Sequence, residues 1–95
     1  MSQYQGREVA KRTDRDTKGA LRASIIAAAK EGGAGSELVI KRKRYSGGKG
    51  NLEATSELML KVQHALDGWS RYFEIAGITP AGNVIVVVLA DPPEF

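Results

Sequence analysis

The sequence predicts a mainly α chain with minor β, an α+β fold of one long amphipathic helix and a short C-terminal strand, assembled as an oligomer. Three observations carry that expectation. An apolar heptad runs through residues 52–76, a β-branched run VIVVVL occupies residues 84–89, and 95 residues supply little surface to cover both. A domain of this length buries only about 60 to 65% of its unfolded surface. Association is a natural remedy for so small a core.

Residues 1–16 have no hydrophobic period and alternate in charge, which predicts a flexible basic arm. A second region, residues 17–50, opens with an alanine-rich helix over residues 17–30. Leu21, Ile25 and Ala28 fall at i, i+4 and i+7 there, behind Thr17 as N-cap. Gly32, Gly33 and Gly35 end it. Residues 36–45 read either way: Ser36 followed by Glu37 suits a helix start, whereas Leu38, Val39 and Ile40 suit a strand. The balance favours strand. The SGGKG run at residues 46–50 is a loop by composition, and Asn51 can cap the next helix.

Residues 51–95 form the third region, read as the oligomerisation part. With Leu52 at heptad position a, the a series is Leu52, Met59, Leu66, Phe73 and the d series Thr55, Val62, Trp69, Ala76. Such a repeat is the signature of a coiled coil, with Gly77 standing where a C-terminal cap belongs. Leu58, Ala65 and Tyr72 widen the stripe beyond a two-stranded seam, which favours a bundle or a ring of subunits. Leu52, Met59, Val62, Leu66, Trp69 and Phe73 are therefore the expected contacts between copies. An ordinary amphipathic helix within one monomeric core is the alternative, and Gly68 is the weak point of either. After a turn at residues 79–83 comes the valine strand, apolar on both faces and in need of cover on both. It has one visible candidate partner, residues 38–45, so either those two strands pair or strands of several copies do. Asp91, Pro92, Pro93 and Glu94 stop the strand, leaving Phe95 as a terminal anchor.

The net charge of +3 conceals a division. Residues 1–50 carry twelve lysines and arginines against five acids, which is +7; residues 51–95 carry two against six, which is −4. A concentrated basic half is the footprint of a polyanion binder. The expected contacts are Lys41, Arg42, Lys43 and Arg44, with Tyr45 available to stack, Lys49 on the glycine loop, and Lys11, Arg12 and Arg15 on the arm. Contacts of this kind go to phosphates, so affinity should depend on salt and little on sequence.

Catalytic readings find little to work with. His64 is the single histidine, at an outward f position, and there is no cysteine. No nucleophile stands beside a base, and SGGKG lacks the spacing and the terminal Ser or Thr of a phosphate-cradling P-loop. Its Gly-x-x-Gly matches the clamp of KH domains but follows a strand-like segment instead of a helix. No metal or cofactor is expected. The longest apolar run, residues 84–90, is too short to span a bilayer, and residues 1–18 are too polar for a signal peptide, so a cytoplasmic protein without membrane contact is expected.

The order of an amphipathic helix at residues 52–76, a short turn, the valine strand and a Pro92-Pro93-Glu94-Phe95 ending resembles the C-terminal region of small terminase subunits of tailed bacteriophages. That resemblance implies a non-catalytic ring that recognises viral double-stranded DNA in the host cytoplasm, beside a separate ATPase and nuclease subunit. The first half departs from the family, having one clear helix and no second and third of a helix-turn-helix. The functional expectation is thus an oligomeric DNA-binding protein. Its alternative is a small structural or inhibitory adaptor whose basic face docks an acidic protein surface.

Overall fold

The valine run becomes an inner strand. In the computed structural model, whose described residues are 7–9, 18–42 and 51–93, the elements follow the order β1 (Arg7–Val9), α1 (Lys18–Gly32), β2 (Glu37–Ile40), α2 (Asn51–Ala65), β3 (Phe73–Ile78) and β4 (Val84–Val88). The class is α+β. One mixed sheet has the order β1-β2-β4-β3, with β4 antiparallel to both its neighbours and β1 parallel to β2. Of the two pairings open to the valine strand, the one inside the chain is taken: Ile40 lies opposite Val84 and Leu38 opposite Val86. An inner strand is flanked on both edges and lined on both faces, which is why β-branched residues suit every position of β4.

Both helices cover one face of this sheet. Val84, Val86 and Val88 point towards them with Leu38, Ile40 and Phe73, and meet Leu21, Ile25, Ile26 and Ala29 of α1 and Leu58, Val62 and Ala65 of α2 in one buried cluster. Each large side chain so buried contributes roughly 1.5 to 3 kcal/mol. On the opposite face Val39 and Ile85, paired across β2 and β4, are also buried. The α1 helix follows the predicted span closely. Its end is a glycine cap, in which Gly33 at φ 80° donates its N–H to Ala29 O at 2.7 Å.

The long helix predicted for residues 52–76 is not formed. α2 stops at Ala65, and residues 73–78 are strand β3. Leu66 N–H still reaches Val62 O at 3.0 Å, but Asp67 N–H turns to His64 O and Trp69 N–H to Leu66 O. Gly68 adopts φ 86°, a left-handed conformation that ends helices and that other residues adopt only with strain. A second turn, Phe73 N–H to Trp69 O at 3.2 Å, aims the chain into β3. The heptad looked continuous because Val62, Leu66 and Phe73 all enter the same core from different elements. Gly77 consequently lies within a strand, beside a bulge in which Ala76 is the extra residue between Ile75 and Gly77.

Three of the six residues expected to form contacts between copies are buried in the chain's own core. Val62, Leu66 and Phe73 are buried in the core, Met59 and Trp69 pack partly buried against it, and Leu52 lies in the first turn of α2. Within residues 1–16, expected to form a flexible arm, Arg7–Val9 pair with Leu38–Ile40 as β1. Backbone hydrogen bonding to the free side of β2 needs no hydrophobic period, so composition did not signal it. Residues 1–6 and 10–17 lie outside the described residues. For residues 36–45 the strand alternative is the one adopted, over Glu37–Ile40, with residues 43–45 outside the described set.

Candidate nucleic-acid interface

The basic segments begin from one end of the sheet. The pairings Val9 with Ile40, Ile40 with Val84 and Val84 with Ile78 form a row across all four strands at that end. Because β1 and β2 are parallel, the chain leaves both in the same direction, from strands about 4.8 Å apart. Lys41 and Arg42 follow Ile40 directly, and residues 10–17, which contain Lys11, Arg12 and Arg15, follow Val9. Of the nine predicted contacts, Lys41 and Arg42 are described, exposed and half-buried respectively. Lys43, Arg44, Tyr45, Lys49, Lys11, Arg12 and Arg15 lie outside the described residues, and only their points of attachment are placed.

Arg42 is fastened to the turn between β3 and β4. Its backbone N–H donates to Asn83 Oδ1 at 3.0 Å and its Nε–H to Ala81 O at 2.9 Å. The turn is itself closed by Thr79 N–H to Asn83 O at 2.8 Å, Gly82 N–H to Thr79 O at 2.9 Å and Asn83 N–H to Thr79 Oγ1 at 3.0 Å. Gly82, at φ 91°, has no room for a side chain: a Cβ there would lie 2.7 Å from Thr55 Oγ1 and 2.8 Å from Arg42 Nε. The turn, Arg42 and the second turn of α2 therefore meet, and between them opens a cleft of about 330 Å³ lined by Arg42, Thr55, Ile78, Pro80 and the turn backbone. Sequence reasoning marked residues 79–83 only as a turn. Nothing local connects Gly82 with Arg42 and Thr55, which meet only once the sheet has formed.

A second cation, Arg22 of α1, was not singled out at all. Its Nε–H donates to Ala65 O at 2.6 Å and its Nη2–H to Asp67 O at 3.3 Å, while its guanidinium lies 5.4 Å from the centre of the Trp69 ring. Trp69 in turn tilts against Tyr72 at 5.6 Å. Carbonyls at a helix C-terminus lack intrahelical donors and carry the negative end of the dipole, so a guanidinium there caps α2 across the fold. Its partners are 43 and 45 residues away, which hides the role from local pattern. Arg22→Ala is expected to lower stability by about 1 to 2 kcal/mol. Urea denaturation checks it; a midpoint equal to that of the unaltered protein would rule out the capping role.

Among the described residues no cluster of three or more His, Cys, Asp or Glu is placed to hold a metal ion, and no helix is long and apolar enough to cross a membrane. Comparison with family models, curated proteins and solved structures gives no match to this chain.

Proposed function

We propose that this chain is a non-catalytic nucleic-acid-binding protein whose basic segments hold the phosphate backbone of DNA at the end of the sheet where β1 and β2 finish. The observation that supports this reading most is the parallel register of Val9 with Ile40, which starts two cation-bearing segments side by side. Lysines and arginines on two segments that start side by side can meet successive phosphates, which recur along either strand whatever the bases. A DNA-packaging role in a ring of copies, beside a separate ATPase and nuclease, is the more specific form of this proposal.

Binding of duplex DNA followed by fluorescence anisotropy across a salt series tests it. The logarithm of the affinity should fall with the logarithm of salt at a slope of about 3 to 6, since each neutralised phosphate contributes about 0.9. A slope below about 1, or no binding at low salt, would overturn the proposal and favour docking to an acidic protein. Light scattering of the same samples measures the mass with and without DNA. A monomer in both would remove the ring and leave the phosphate contacts standing.

A further inference from the structure

We infer that the cleft beside Arg42 takes one unstacked base of a single-stranded nucleic acid, an inference that rests on the phosphate reading above and adds a preference to it. Ile78 forms an apolar wall of the cleft and is 47% exposed, one of three large hydrophobic side chains left so open among the described residues. Pro80 and the backbone of Ala81 and Gly82 continue the wall, and Thr55 supplies a hydroxyl. An apolar recess is of no use to a phosphate, which is strongly hydrated and prefers donors. It suits a flat, weakly hydrated ring.

The neighbouring charge selects which ring. Arg42 lines this recess with its positive charge, so an occupant attached to an anionic backbone is favoured over a neutral apolar one. The guanidinium is already oriented, because Nε–H donates to Ala81 O and the side chain lies across Gly82 with no Cβ between them. A planar cation fixed in this way offers a surface on which a base can stack. The volume, about 330 Å³, is at the small end for ligand pockets and is large enough for a nucleotide base. In a duplex the bases are paired and stacked and cannot enter, whereas a single strand presents them freely.

The test compares oligothymidylate with an abasic single strand of the same length, and with the matching duplex, by fluorescence anisotropy at one moderate salt concentration. Oligothymidylate should bind at least about fivefold more tightly than the abasic strand, the range expected for a stacked base, with the same dependence on salt. Ile78→Ser should abolish that difference while leaving duplex binding within about twofold, because the substitution adds no charge and is at an exposed position outside the buried cluster. Circular dichroism verifies that the variant is folded, and Ile78→Ala, which only shortens the wall, serves if it is not. Equal affinity for thymidylate and abasic strands, or an unchanged difference in the Ile78 variant, would overturn the base site while leaving phosphate binding in place. No binding to any of the three would overturn both.

Discussion

Phe73→Ala is expected to remove about 3 to 5 kcal/mol of stability, the usual cost of deleting a buried aromatic ring and leaving a cavity. Phe73 is 3% exposed and lies at the start of β3, opposite Val88, where it joins Leu66 and Val62 in the shared cluster. A small domain has on the order of 5 to 15 kcal/mol in all, so the loss is a large fraction of the total. Urea denaturation at two protein concentrations distinguishes the roles available to this residue. A core residue shifts the midpoint equally at both concentrations. If the loss instead vanished at high concentration, Phe73 would be stabilising contacts between copies, as the heptad alone suggests.

Replacing Lys41, Arg42, Lys43 and Arg44 together by alanine should weaken duplex binding at least about 100-fold near physiological salt and reduce the salt slope by about 3 to 4. The fold should survive. Lys41 is exposed, and Arg42 loses a hydrogen bond to Ala81 O at an exposed site, a net cost of about 0.5 to 1.5 kcal/mol. The same anisotropy titration checks this, with thermal denaturation alongside. Lys61→Ala and Arg71→Ala, exposed positions on α2 and on the turn before β3, provide the comparison and should change affinity by less than about threefold. Undiminished binding by the quadruple variant would remove the assignment of residues 41–44 to phosphates.

How far the sequence could be read depended on how local the signal was. Helix α1 and strand β4 were both legible, since an alanine-rich stripe ended by glycines and a run of β-branched residues each carry their own geometry. The helix and strand readings of residues 36–45 could not be separated locally. The structure separated them because Leu38, Val39 and Ile40 find β4 on one side and β1 on the other. The heptad from Leu52 misled for a physical reason: residues in a helix, a turn and a strand can all point to one core, and their spacing then imitates a single stripe. Gly68 was recognised as a weak point in that stripe, and it is where the chain in fact turns.

By itself the sequence determined the charge division, the two ends of α1 and α2 that glycine and asparagine mark, and the need for the valine run to be covered. These follow from side-chain chemistry and short-range backbone preference. The tertiary structure decided that β4 takes β2 and β3 of the same chain as its neighbours, that Arg7–Val9 join the sheet, and that Gly82, Thr55 and Arg42 frame one cleft. Those outcomes depend on which strands become neighbours, and strand pairing is a choice between distant segments whose energies can be compared only in the folded chain.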